Sequence, residues 1–60
     1  MSNEEIQRRI DAWIHKERDR QILKRKLIDG ITFEALAEEV NMSPRGVQNI
    51  VYKYRSIFKE

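Results

Sequence analysis

A single decapeptide, "NMSPRGVQNI" at residues 41–50, most constrains the fold of this sequence. It contains the only proline, Pro44, and one of the two glycines, Gly46, of a 60-residue chain. Ser43 is a strong N-cap residue, because its hydroxyl can accept a hydrogen bond from an otherwise unpaired amide of a first helical turn. Pro44 suits the first helical position, where its fixed φ fits and its missing N–H costs nothing. The decapeptide therefore predicts that a helix begins directly after Ser43.

The residues before Ser43 predict a sharp corner between two helices. Asn41 is among the few residues that tolerate a left-handed backbone, which a tight turn after a helix requires. Met42 is apolar, and we expect its side chain to fill the corner. Two helices joined by so short a connection cannot lie antiparallel, so a crossing of roughly 90–120° is expected.

The first half of the chain predicts supporting helices over about residues 3–29, because its apolar residues recur at helical spacing. The first helix is expected to start behind Ser2 or Asn3 as its cap. The second is expected over about 17–29, ending at Gly30. No proline or glycine separates the two, so a single bent helix remains an alternative.

The second half predicts two further helices. One covers about 32–40, with Thr32 as its cap, and the other runs from Ser43 to Phe58, roughly 25 Å at the usual rise per residue. The apolar positions of all the predicted helices define the expected core: Ile6, Ile10, Trp13, Ile14, Ile22, Leu23, Leu27, Ile28, Phe33, Leu36, Ala37, Val40, Met42, Val47, Ile50, Val51, Tyr54, Ile57 and Phe58.

These elements predict a small all-α bundle of three to four helices, forming one domain over residues 1–60. The spacing across the corner is typical of a helix-turn-helix, here over about 32–54. Such a motif needs a small residue where its first helix is crossed, and Ala37 supplies one. It also needs apolar residues on both helices facing a common core, and the chain has them at Leu36, Val40, Met42, Val47 and Ile50.

Composition excludes several classes of protein. With 40% hydrophobic and 37% charged residues, the chain is too apolar for a disordered tail and too charged to cross a membrane. It has no cysteine and one histidine, His15, so we expect no metal site and no cofactor. No nucleophile or phosphate-cradling loop accompanies His15, so we do not expect an enzyme. The charged first ten residues lack the apolar core of a signal peptide, which favours a cytoplasmic location.

A family resemblance covers about two-thirds of the chain, over "KERDRQILKRKLIDGITFEALAEEVNMSPRGVQNIV". This run resembles the DNA-binding domain of LuxR-type regulators and, equally, the fourth conserved region of bacterial sigma factors. Gly46 departs from the pattern, since those families usually have threonine there. The sixty residues also hold neither a promoter-melting region nor a sensing domain. The matching residues are Arg20, Ile22, Leu23, Gly30, Thr32, Leu36, Ala37, Ser43, Pro44, Arg45 and Val47.

The resemblance implies sequence-specific binding of double-stranded DNA, with the last helix in the major groove and its N-terminal residues against base edges. Arg45 can bond guanine bidentately, and Gln48 or Asn49 can do the same with adenine. Gly46 would let this end of the helix approach the groove or a phosphate closely. The expected backbone or groove contacts are Thr32, Ser43, Pro44, Gly46, Tyr52, Lys53, Lys24, Arg25 and Lys26. For Tyr52, packing is an equally good interpretation.

The distribution of charge predicts a basic side that the net charge of +2 conceals. Residues 43–59 contain four cations and no acid, residues 20–26 contain four more cations, and the third helix carries three acids that we expect to face elsewhere. The cations are Arg45, Lys53, Arg55 and Lys59 in the first group, and Arg20, Lys24, Arg25 and Lys26 in the second.

An alternative function is a sigma-like or adaptor module that binds RNA polymerase or another protein. A homodimer through the C-terminal or N-terminal helix is also plausible. The stripe through Tyr54, Ile57 and Phe58 packs either on the first helix of the same chain or on a second copy. Trp13 is expected to be a core or subunit-contact residue.

Overall fold

The computed structural model describes residues 2–58, which form four α-helices and contain no strand. The second helix continues directly into one π-helical turn, and the fourth is followed by a short 3-10 turn. The elements are α1 (Asn3–Trp13), α2 (Glu17–Lys24), the π turn (Arg25–Asp29), α3 (Phe33–Val40), α4 (Pro44–Lys53) and the 3-10 turn (Arg55–Phe58). The predicted small all-α bundle is confirmed.

The first two helices are separate, so the alternative of one bent helix is wrong. Ser2 caps α1 by accepting a hydrogen bond from the Glu5 amide at 3.2 Å. Residues 14–16 are not helical, and Ile14 has an extended backbone with φ −111° and ψ 118°. The Arg20 guanidinium fixes this connection by donating to the carbonyls of Ile14 and of Asp11, the latter at 2.9 Å. Charged residues thus interrupt the apolar stripe where the chain turns.

The corner predicted between α3 and α4 is confirmed in its local geometry. Asn41 has φ 57° and ψ 48°, and it is the only non-glycine residue with positive φ within residues 2–58. The Met42 amide donates back to the carbonyl of Ala37 at 2.9 Å, which satisfies the end of α3. Ser43 then caps α4 by accepting from the Gly46 amide at 3.1 Å. Helices α3 and α4 make the most extensive contact between any two elements.

The core lies between all four helices, and most of the predicted core residues are buried or half-buried. Trp13 is the clear exception, with 66% of its surface exposed. Helix α1 ends at Trp13, and the extended backbone that follows turns Ile14 inward to fill the core instead. Leu27 is also exposed, because it lies in the π turn, whose wider hydrogen-bonded rings shift residues off the α-helical stripe. The buried apolar residues are Ile10, Ile14, Ile22, Leu23, Leu36, Ala37, Val47 and Val51.

The fourth helix is shorter than predicted: it ends at Lys53 instead of continuing to Phe58. Its C-cap residue Tyr54 leaves helical geometry, with φ −97° and ψ 4°. The 3-10 turn that follows packs on α1 of the same chain, where the Arg9 guanidinium donates to the Ile57 carbonyl at 3.1 Å. The C-terminal apolar residues Tyr54, Ile57 and Phe58 are therefore half-buried against the core of the same chain. Within residues 2–58, no helix has the length and hydropathy needed to span a bilayer.

Candidate nucleic-acid interface

One face of α4 carries the polar residues that were predicted to read bases. Arg45, Gln48, Asn49 and Tyr52 are three or four residues apart in sequence, so they share a face of the helix. Arg45, Asn49 and Tyr52 are exposed, and Gln48 is half-buried. The opposite face buries Val47. The structure therefore brings the three predicted base-reading residues together on one outward surface.

The N-terminal end of α4 is also open, as the predicted groove contacts require. Ser43 and Pro44 are exposed, while Gly46 is half-buried. The first amides of a helix carry partial positive charge and attract anions such as phosphate. No acidic residue lies in the first turn of α4 to offset this effect.

The described cations of the C-terminal segment, at Arg45, Lys53 and Arg55, have no acidic partner within residues 2–58. Lys53 lies over the Tyr54 ring, with Nζ 5.4 Å from the ring centroid. The fourth predicted cation, Lys59, lies outside the described residues. This segment therefore keeps its positive charge available to phosphates.

Most cations of the second predicted group bind other residues of the same chain. Lys24 Nζ lies 3.0 Å from a carboxylate oxygen of Asp11. Arg25 contacts Asp29 at 2.8 Å and also binds both carboxylate oxygens of Glu39. The expectation that the acids of the third helix all face elsewhere is therefore wrong, because Glu39 at the end of α3 comes back onto Arg25. Lys24 and Arg25 would have to leave these partners to reach a phosphate.

The ion pair between Arg25 and Glu39 shifts the pKa of both groups. Hydrogen bonds from the Arg25 guanidinium lower the pKa of the Glu39 carboxyl. Hydrogen bonds to Glu39 and then Asp29 raise the pKa of Arg25. Both groups are therefore charged at neutral pH, which keeps the π turn tied to α3.

Lys26 and Thr32 hold the connection between the π turn and α3. Lys26 donates to the Ile31 carbonyl at 3.0 Å, and its Nζ lies 4.3 Å from the centroid of the Phe33 ring. Thr32 caps α3 by accepting from the Ala35 amide at 3.1 Å, as predicted. The Thr32 side chain is at the surface, and its hydroxyl hydrogen can still donate to a phosphate. Lys26 is half-buried and already engaged, so Thr32 is better placed for a backbone contact.

Gly46 occupies a crowded position in the corner. A Cβ atom at Gly46 would lie 3.2 Å from the Met42 Cε atom and 3.2 Å from the Ser43 Oγ atom. Its backbone is ordinary helix, so glycine is not needed there for a positive φ. Because glycine has no Cβ atom, Gly46 leaves room for Met42, which packs against the core.

We expect Gly46→Ala to raise the free energy of unfolding by about 0.5–1 kcal/mol, because alanine favours a helix interior over glycine. The flexible end of Met42 and the Ser43 hydroxyl each have to move by a few tenths of an ångström to accept the new methyl group. Urea denaturation followed by circular dichroism measures the change. A loss of stability would mean that Met42 or the Ser43 cap cannot adjust.

A partly buried hydrogen bond between α2 and the end of α4 was not predicted from the sequence. Asp19 is only 3% exposed, and the Tyr54 hydroxyl donates to it at 2.8 Å. The Arg18 guanidinium approaches the other carboxylate oxygen at 3.4 Å. A sequence signal did exist, since Asp19 lies three and four residues before Ile22 and Leu23 and so shares their buried face.

Comparison with known proteins yields no relative: no family model, no curated protein and no solved structure matches this chain significantly. Within residues 2–58, no cluster of histidine and acidic side chains could hold a metal ion. The geometry of α4 and the motif residues around the corner are therefore the features that bear on function.

Proposed function

We propose that this chain is a sequence-specific module for double-stranded DNA, which inserts the N-terminal half of α4 into the major groove. The observation that carries the proposal is the outward face of α4, which is polar and cationic and begins directly after the left-handed Asn41 and the Ser43 cap. No carboxylate within residues 2–58 pairs with its arginine or lysine. By its resemblance to LuxR-type and sigma-factor domains, the module belongs to a small transcription regulator of a bacterium or phage and acts in the cytoplasm.

Each residue of this face has a distinct role in the proposal. Arg45 bonds the O6 and N7 atoms of a guanine, while Gln48 and Asn49 are the adenine-reading residues. Lys53 and Arg55 bind phosphates further along the groove. The capped start of α4 lies against the DNA sugar-phosphate backbone, with Thr32 beside it. The residues of this start are Ser43, Pro44 and Gly46.

A second candidate function is supported by a different observation. Trp13 is 66% exposed at the end of α1, and a large exposed aromatic residue is typical of a protein contact. An adaptor that binds RNA polymerase or another protein would use this residue, and so would a homodimer. Because Tyr54, Ile57 and Phe58 already pack against the core of the same chain while Trp13 is exposed, the N-terminal helix is the better dimer surface. A DNA-binding dimer would contact half-sites about 34 Å apart.

Salt dependence tests the main proposal against the second. Selection from a randomised DNA library first supplies a binding site, and fluorescence anisotropy then measures affinity over a range of salt concentrations. Binding through phosphates releases counterions, so the logarithm of the affinity falls steeply and linearly with the logarithm of salt. An apolar protein interface shows little such dependence.

We expect Lys53→Ala to reduce the steepness of that salt dependence by about 0.9, the value of one phosphate contact in B-DNA. Its effect should be the same on every DNA sequence, because a phosphate carries no base identity. Lys16→Ala removes the same charge from the exposed connection before α2 and serves as the matched control. An equal loss in both variants would show that only net charge matters.

A further inference from the structure

The outward face of α4 contains an internal hydrogen bond between two of its polar side chains. The Gln48 amide nitrogen donates to the Tyr52 hydroxyl oxygen at 2.9 Å, one helical turn away. Tyr52 is 53% exposed, so its ring is not part of the buried core. The hydrogen bond therefore orders two side chains on the surface where DNA is proposed to bind.

The chemistry of this bond leaves the reading edge of Gln48 available. An amide nitrogen carries two hydrogens, and the bond to Tyr52 uses one of them. Where the bonded hydrogen is the one trans to the amide oxygen, the cis hydrogen and the oxygen lie side by side as a donor and an acceptor. Adenine presents the complementary pair in the major groove, with N7 as the acceptor and N6 as the donor.

We propose that Tyr52 is a specificity-determining positioning residue, which holds the Gln48 amide in the orientation that reads adenine. This inference rests on the proposed function. A glutamine without such a partner samples several rotamers and has to be ordered when it meets the base. Tyr52 does this ordering before DNA arrives. Its own hydroxyl hydrogen is left to donate to water.

The experiment starts from the DNA site that the wild-type protein selects. Gln48→Ala should relax the preference at one A·T pair, about 5- to 150-fold, which identifies the base that Gln48 reads. Tyr52→Phe keeps the ring and removes the hydroxyl. It should weaken binding to the adenine-containing site about 2- to 10-fold, the usual contribution of one hydrogen bond. On a site in which that single base pair is replaced, Tyr52→Phe and the wild-type protein should bind equally well.

A double-mutant cycle separates positioning from an independent contact. If Tyr52 acts through Gln48, then Tyr52→Phe has no further effect in the Gln48→Ala background. Additive effects, or equal weakening on every sequence as expected for Lys53→Ala, would overturn the role of Tyr52. So would a Gln48→Ala variant that keeps its full preference at every A·T pair. A wild-type protein that enriches no DNA sequence would instead contradict the proposed function itself.

Discussion

Replacing Arg45 by alanine is expected to lower the affinity for the selected DNA site by about 1–3 kcal/mol and to relax the preference at one G·C pair. Arg45 is exposed at the second position of α4, directly behind the corner. No ion pair within residues 2–58 competes for its guanidinium. Binding measured on the selected site, and on variants changed one base pair at a time, provides the comparison.

Arg45→Lys is the matched control, because lysine keeps the positive charge and loses the planar, two-pronged hydrogen bonding of arginine. It should preserve the salt dependence of binding while losing preference at the same base pair. If Arg45→Ala instead weakens binding equally on all sequences while Arg45→Lys keeps the wild-type affinity, Arg45 contacts a phosphate and does not read a base. The helix would then enter the groove in a different register.

The corner could be predicted from sequence because its causes are local. Ser43 and Pro44 determine where α4 begins, and Asn41 supplies the left-handed residue before it, through bonds that span only a few positions. The outward face of α4 follows from the same start point and from helical spacing. Thr32 and Gly30 define the neighbouring connection for the same reason.

The features that could not be predicted depend on contacts between distant residues. Arg25 and Glu39 are 14 positions apart, so the charge pattern alone did not show that a predicted phosphate contact is already paired. The exposure of Trp13 depends on how α1 ends against α2. Helix α4 ends at Tyr54, whose hydroxyl is bonded to a carboxylate 35 positions earlier in the chain.

Removing the hydrogen bond between Tyr54 and Asp19 with Tyr54→Phe is expected to lower the free energy of unfolding by about 1–3 kcal/mol. Phenylalanine keeps the packing of the ring and deletes the hydroxyl, which leaves the Asp19 carboxylate buried with only the 3.4 Å contact from Arg18. A domain of this size has a total stability of roughly 3–9 kcal/mol, so the loss is a large fraction. Urea denaturation at neutral pH measures it. Asp19→Asn keeps an acceptor for the hydroxyl, so a smaller loss there would support the hydrogen bond as the cause.

The same bond predicts how stability changes in alkali. Hydrogen bonding to Asp19, and then burial, raise the pKa of Tyr54 above its ordinary value of 10.0. The unfolded chain therefore loses the phenolic proton at lower pH than the folded protein does. The contribution is complete below about pH 10 and is lost as the pH rises through the folded pKa. Wild-type protein should lose stability more steeply than Tyr54→Phe over this range, although lysines titrate in both. Parallel curves would show that the hydroxyl is not bonded to Asp19 in solution, and that packing alone holds the end of α4 against α2.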